Sequence, residues 1–539
     1  MYKRSPISMT PMQSIRLWSR RAPTAERIAA ATAFGTAVAV LVWLGGSALS
    51  ASGTTATADV PDQLSAGGTT ASSQSALVGG PASSVADASS GGQQVAGTGP
   101  GPAMAGAPGA GTASAPPGSD SPGSAAHAAA QPGAVTCPAA PDQGHGVTTR
   151  RIKLGVMLVA VAGAAANSTF GVASVSEQKG YANAVVDDLN SHGGVACRKI
   201  VIQFFQGNPA DESDLQQKCL DVVQADVFAL IDIGAYSVSN SKSCFGRNRI
   251  PYFGGYLIAE SLRAKFYPYL FELGSYDRTY RDAVAGLTKA GFFSPSKGFK
   301  KLGLIYRSCF PEVVQHLQGW LHQAGVPAGN IVTYDVGCPQ ALANPGDIQQ
   351  AVLTFRQAGV TSVTTAFFTG DFSNFSKFAE QQGYRPKYGL ADDQLITVSY
   401  GSLHPDYNNI NGAIAISLAR SAEETTPGMR PTAGTLRCDA IFAKHGLEPT
   451  YKQPYAAGNA CDQAWMFAAA VTHAPALRAD ALAAGLQRAK TIEFSFPQGP
   501  NNFAIRGGTT GGQFWRSTAF TTSCNCWRVT DPTFRPTTF

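Results

Sequence analysis

Between Ser52 and Val135 this 539-residue chain has no aromatic residue, no lysine and no arginine, and it has no cysteine before Cys137. A stretch of Ala, Gly, Ser, Thr and Pro without those side chains cannot bury enough apolar surface to offset the entropy of ordering it, so 52–135 is expected to be a disordered tether. Its coil dimensions would hold the globular part on the order of 50 Å from the membrane. The lack of a cysteine soon after the N-terminal apolar stretch excludes a bacterial lipoprotein anchor. The sequence also has no Gly-x-Ser-x-Gly elbow, no Gly-x-Gly-x-x-Gly and no Walker A loop, and none of its eight histidines forms a zinc-spaced pair. Those absences argue against a hydrolase, a dinucleotide enzyme, a nucleoside triphosphatase and a metal or other cofactor, so no catalytic residue is nominated. The net charge is +6, with no extended Lys/Arg cluster in the globular part, which leaves nucleic acid an unexpected partner.

One long uncharged apolar run exists, Ile28 to Leu49, and a single run excludes a polytopic membrane protein. Lys3, Arg4, Arg16, Arg20, Arg21 and Arg27 all precede it, so residues 1–27 read as a cytoplasmic basic segment and everything beyond residue 51 as extracytoplasmic. Residues 28–51 read either as an uncleaved transmembrane anchor or as a signal segment cut near Ala48-Leu49-Ser50. In both cases the destination is outside the cytoplasm, tethered to the membrane or secreted.

The ten cysteines agree with that destination, because an even number confined to the exported part favours disulfides. Cys219 and Cys244 fall on neighbouring helices and are expected to pair. Cys309 and Cys338 each follow a strand, and Cys438 and Cys461 sit on successive helices. Cys524-Asn525-Cys526 reads as too close for an ordinary bridge and resembles half a metal site, but no partner pair completes it.

From Arg151 onward apolar runs alternate with amphipathic ones. Strands are expected at Ile152–Leu158, Lys199–Phe205 and Val227–Ile233, with helices at 180–190 and Asp211–Gln224 between them. The alternation resumes with strands at Leu302–Tyr306, Ile331–Val336 and Ser362–Phe368 and helices at Pro311–Ala324, Pro345–Ala358 and Ser373–Gln382, after an interruption near Tyr269–Gly291. Nearly continuous apolar strands between helices imply parallel sheets covered on both faces, hence an α/β fold of two doubly wound lobes joined by a hinge. Ligands of such sheets sit beyond the carboxyl ends of the strands.

The ordered series of the opening strand, the Phe170-Gly171 loop, Asp187-Asp188-Leu189-Asn190, Gly193-Gly194-Val195, Val227 to Gly234, Ile250 to Gly255, Lys301 to Tyr306, Phe375 to Gly383 and Asn459 to Ala464 resembles a type I periplasmic binding protein. The branch it is most similar to is the leucine/isoleucine/valine-binding proteins of branched-chain amino acid ABC importers, over about 148–539. That resemblance implies a non-enzymatic receptor that closes two lobes on a small molecule, an amino acid or related compound, and delivers it to an ABC permease. It further implies ligand contacts from Ser168, Thr169 and Phe170 after the first strand, Tyr236, Ser237 and Ser239 after the third, and Gly255 and Tyr256 after the fourth. Asp371 is the expected counter-charge for a ligand ammonium, with Asp392 or Asp393 as alternatives. Gly254-Gly255-Tyr256-Leu257 lacks the Ser/Thr that amino-acid binders carry nearby, and Phe170, Tyr236, Tyr256 and Tyr276 offer an aromatic lining for a larger or less polar ligand instead. A membrane-tethered sensor or interaction module without transport shares the same fold and stays open.

Overall fold

The structure, a computed structural model, describes residues 145–161, 167, 172–234, 241–255, 257–338, 343–367, 369–391, 404–420, 425–452, 454–497, 499–504, 506–511 and 514–537. The expected basic segment, anchor or signal segment and tether lie outside the described residues. Among the described residues no helix is long and apolar enough to cross a membrane.

The first lobe runs through β1 (Arg151–Val159), α1 (Val175–Ser191), β2 (Lys199–Gly207), α2 (Glu212–Gln224), β3 (Ala229–Asp232), α3 (Lys242–Arg247), β4 (Tyr252–Gly254), β5 (Leu257–Ile258), α4 (Glu260–Lys265) and β6 (Leu270–Phe271). Its parallel sheet has the order β2-β1-β3-β4-β6. Ile152, Leu154, Val156, Met157 and Leu158 of β1 are all fully buried because helices cover both faces. Helix α1 starts at a capping box, where Ser174 and Glu177 satisfy each other's backbone N–H. It ends at Gly193 and Gly194, both at positive φ, and a Cβ on Gly194 would lie 2.1 Å from the Arg198 carbonyl oxygen.

The chain crosses through β7 (Gly274–Ser275) into the second lobe. There α5 (Tyr276–Lys289), β8 (Leu302–Tyr306), α6 (Pro311–Gln323), β9 (Ile331–Asp335), α7 (Pro345–Gln357), β10 (Ser362–Ala366), α8 (Thr369–Gln381), β11 (Lys387–Ala391) and β12 (Ile414–Ser417) follow. It returns to pack α9 (Ala433–Lys444), α10 (Asn459–His473) and α11 (Leu482–Ala489) on the first sheet, as Phe442, Phe467 and Leu486 join Ile152 and Leu154 in one core. A short hairpin of β13 (Thr491–Ile492) and β14 (Asn501–Asn502) leads to a third crossing. Antiparallel β15 (Phe514–Thr521) and β16 (Cys526–Pro536) then complete a seven-stranded sheet, β16-β15-β12-β11-β10-β8-β9.

Four features differ from the sequence reading. The interruption near Tyr269–Gly291 contains β6, the first crossing and the whole of α5, whose polar residues are buried by both lobes rather than solvated. Strand β3 is the four-residue core of the longer apolar run expected there. Helix α8 begins at Thr369 instead of Ser373, so Asp371 lies inside its first turn, where a carboxylate is favoured by the helix dipole. Cys524 and Cys526 do form a disulfide, correcting the half-metal-site reading. They flank Asn525, which turns the β15–β16 hairpin at φ 49°, a conformation Asn tolerates, and brings the two Cα atoms to 5.2 Å. Cys219 is bonded to Cys244, Cys309 to Cys338 and Cys438 to Cys461, as expected, and Cys197 is disulfide-bonded too.

Candidate functional site

Leu257, just beyond β4 of the first lobe, packs in one hydrophobic cluster with Tyr276, Phe310 and Phe367, which follow the crossing, β8 and β10 of the second. The carboxyl ends of the two parallel sheets therefore meet, which is where a doubly wound fold places its ligand.

On the first lobe two buried carboxamides hold the chain at the end of β1. Gln178 of α1 accepts from the Val159 N–H at 2.8 Å and donates to the Val159 and Ala173 carbonyls at 2.9 and 2.8 Å. Asn167 donates to the same two carbonyls and accepts from the Val161 N–H at 2.7 Å. These bonds clamp both ends of the segment carrying Ser168, Thr169 and Phe170, which are outside the described residues. At the end of β3, the buried Asp232 accepts from the Tyr252 hydroxyl at 2.7 Å and the Gly234 N–H at 3.0 Å. Tyr236, Ser237, Ser239 and Tyr256 are also outside the described residues, as are Asp392 and Asp393.

Gly255 is described, and it is buried. A Cβ there would lie 2.3 Å from both Asn459 Oδ1 and Gln463 Nε2, so the first turns of α10 press against this glycine. A single π-helical turn, Pro454–Gly458, precedes α10, a local widening often found at functional sites. Sequence reading singled out Asn459 and Gln463 only as part of a family-like run; the signal that could have marked them is two carboxamides at i and i+4 on a helix otherwise rich in Ala.

On the second lobe the rim is aromatic. Tyr276 is 1% exposed and meets Phe367 edge to face at 4.6 Å between ring centroids, Phe310 at 6.0 Å and Tyr280 at 6.2 Å. The Tyr280 hydroxyl accepts from the Phe367 N–H at 2.8 Å. Asp371 has no exposed surface; its Oδ2 accepts from Arg307 Nε at 2.9 Å and from Nη2, and its Oδ1 from the Ala343 N–H at 2.8 Å. The expected ammonium partner is thus already engaged by a guanidinium from the end of β8. Arg307 lay outside the sequence reading.

Three crossings form the hinge, and backbone hydrogen bonds tie them together. Glu272 N–H donates to the Thr509 carbonyl at 3.0 Å, and Arg420 N–H to the Phe496 carbonyl at 2.6 Å. Buried Lys242 pairs with Glu272 at 2.5 Å. Asp462 of α10 accepts from the Ser495 N–H and hydroxyl at 2.6 and 2.8 Å and from the Phe496 N–H at 2.9 Å, fastening the third crossing to the first lobe. Burial pushes its carboxyl up to about 7, against the opposing effect of those donors and of Arg420. Burial likewise lowers Arg420 to about 10, partly countered by Asp439 and Asp462.

Residues 152–522 match the family described as periplasmic binding protein. The chain belongs to that family. No curated protein matches it. Solved structures with the same fold include a periplasmic binding protein from Burkholderia mallei, with a TM-score of 0.52 at 14% identity, covering 72% of this chain and 96% of that one. A second is a solute binding protein of an ABC transporter from Rhodopseudomonas palustris BisB5 in complex with 3,4-dihydroxybenzoic acid (TM-score 0.51, 15% identity, 72% and 98% covered). A third is an ABC transporter substrate-binding protein from Desulfitobacterium hafniense in complex with Leu (TM-score 0.50, 15% identity, 70% and 100% covered). At these identities the likeness establishes the fold of this binding protein and no ligand.

Proposed function

We propose that this periplasmic binding protein is the extracytoplasmic solute receptor of an ABC importer, held at the membrane by residues 28–51 and spaced from it by 52–135. It binds and releases its ligand unchanged. The observation that carries the reading is the clustering of Leu257, just beyond the first sheet, with Tyr276, Phe310 and Phe367 of the second lobe, which brings the strand ends of the two sheets together beside three crossings. Of the ligand classes raised by the sequence, a ring-bearing, weakly polar molecule fits better than a free α-amino acid. The Asp371 carboxylate already accepts from Arg307 and from the Ala343 N–H, so a ligand ammonium would have to displace bonds that the fold makes within itself. Tyr276, Phe310 and Phe367 pack on one another at 1%, 6% and 3% exposure and make the second-lobe rim aromatic and uncharged, in keeping with a weakly polar partner. Phe170, Tyr236 and Tyr256 are proposed to add to that lining, with Ser168, Thr169, Ser237 and Ser239 supplying hydroxyls.

Mass spectrometry of small molecules released on denaturing the purified full-length protein tests this directly, backed by thermal shifts with L-leucine and 3,4-dihydroxybenzoate. A compound present at a hundredfold excess over its Kd should stabilise the protein by about 2.7 kcal/mol. Release of an aromatic acid or similar ring compound supports the reading, and release of a free amino acid overturns its ligand class. No released ligand and no stabilising compound, or time-dependent conversion of a stabilising compound, overturns the receptor assignment.

A further inference from the structure

Asn459 and Gln463 are 2% and 0% exposed, yet Asn459 Oδ1 and both polar atoms of the Gln463 carboxamide have no hydrogen-bond partner among the described residues. The remaining group, Asn459 Nδ2, reaches the Ile233 carbonyl only at 3.5 Å. Buried carboxamides are ordinarily satisfied, as Asn167 and Gln178 are a short way along the same rim. Leaving three such atoms bare disfavours the folded state, and a leucine at 463 would avoid most of the cost. Both side chains converge on one point, Gly255, where the chain leaves β4 toward the cleft. The absence of a side chain at 255 is what lets them come so near. Two residues further on, Leu257 belongs to the hydrophobic cluster that holds Tyr276, Phe310 and Phe367, so the amides and that cluster lie at the same short segment.

We infer that Asn459 and Gln463 are ligand-specificity residues that read an uncharged hydrogen-bonding group, a hydroxyl or a carboxamide, on a ring-bearing ligand. A hydroxyl donates one hydrogen bond, to Asn459 Oδ1 or Gln463 Oε1, and accepts one from Gln463 Nε2, whereas a carboxamide NH2 can donate to both oxygens. A ligand carboxylate only accepts, and would find a single donor among the three bare atoms. The inference rests on the receptor reading above and names the group that the first lobe selects.

The probes are 4-hydroxybenzoate and benzoate, which differ by one hydroxyl, titrated into the full-length protein by calorimetry. Wild type should prefer 4-hydroxybenzoate by about tenfold or more in Kd, because a site built around a hydroxyl rejects the analogue lacking it. Gln463→Leu should erase that preference and, without ligand, raise Tm by about 1–4 °C, since it removes bare polar atoms from the interior. If the branched side chain prevents folding, Gln463→Met repeats both measurements with an unbranched one. Equal binding of the two probes by wild type, binding of neither, an unchanged preference in the variant, or a lowered Tm in both variants would each overturn the assignment. None of these results decides the receptor reading, which stands or falls on the released ligand.

Discussion

The rim of the first lobe is made of buried carboxamides, Asn167, Gln178, Asn459 and Gln463, whereas that of the second is made of Tyr276, Tyr280, Phe310 and Phe367 beside one buried ion pair, Arg307 with Asp371. Within the first rim the amides divide again. Asn167 and Gln178 direct their hydrogen bonds to the backbone and fix the shape of the loop, while Gln463 makes none among the described residues. The contrast teaches that the same residue type at the same depth can be scaffold or reader, and that satisfaction, not burial, tells them apart. Within the second rim Arg307 and Asp371 offset each other's charge.

The largest effect that would break this comparison is on the charged side. Asp371→Asn removes the carboxylate facing Arg307 and should destabilise the protein by about 3 kcal/mol, measured by urea unfolding. A loss below about 0.5 kcal/mol, the range of ordinary surface changes, would mean that the pair is not structural. Next comes Gly255→Ala, whose new Cβ meets Asn459 Oδ1 and Gln463 Nε2 and should cost about 1–3 kcal/mol by overpacking. Shortening the neighbour in Gly255→Ala with Gln463→Ala should recover part of that loss, a non-additivity that only touching residues show. Additive losses would separate Gly255 from α10.

The hinge gives a signal that depends on pH. Because burial raises the Asp462 carboxyl from 3.8 to about 7, the folded state holds its proton more tightly than the unfolded chain does. The stabilising contribution is therefore fully present below about pH 4 and is lost as pH rises through about 7. Relative to Asp462→Asn, whose side chain does not titrate, wild type should lose stability over that window, and carbon NMR should place the Asp462 carboxyl transition near its upper end. A transition below pH 4 would show that the donors from Ser495 and Phe496 outweigh burial.

The alternation of apolar strands and amphipathic helices made the two parallel sheets legible, because a doubly covered strand such as β8, Leu-Gly-Leu-Ile-Tyr, is buried along nearly its whole length and advertises itself. Three disulfides were legible for the same reason: Cys219 and Cys244, for example, lie on helices whose placement the alternation dictates. The partners at the rims were not. Asp371 reads as a free acid at a strand end because nothing local reveals that Arg307, 64 residues earlier, reaches it across the sheet. Helix α5 was hidden by its own chemistry, since the buried Asp277, Arg278, Thr279 and Asp282 mask the face of Tyr276, Tyr280, Ala283, Val284 and Leu287 that it packs into the second-lobe core. Gly255 was noticed as a departure, but the amides that require it lie some two hundred residues later in the chain.

The smallest expected effect concerns the disulfide that the sequence argued against. Cys219–Cys244 joins residues 25 apart and is enclosed in a hydrophobic cluster, so removing it should cost about 3 kcal/mol by releasing a loop in the unfolded chain. Cys524–Cys526 joins residues only 2 apart at an exposed hairpin tip, so it constrains almost nothing that the chain would otherwise explore. Cys524→Ser with Cys526→Ser should therefore lower stability by about 1 kcal/mol or less, well under the loss from Cys219→Ser with Cys244→Ser. Access points the same way, because thiolate attack needs an exposed sulfur and Cys219 and Cys244 are 0% and 1% exposed. Limited reduction followed by alkylation and peptide mapping should label Cys524 and Cys526 first, with little change in Tm. Earlier labelling of Cys219 or Cys244 would show that the first lobe opens locally more readily than the hairpin tip of the second, and would reverse the order of the two lobes in stability.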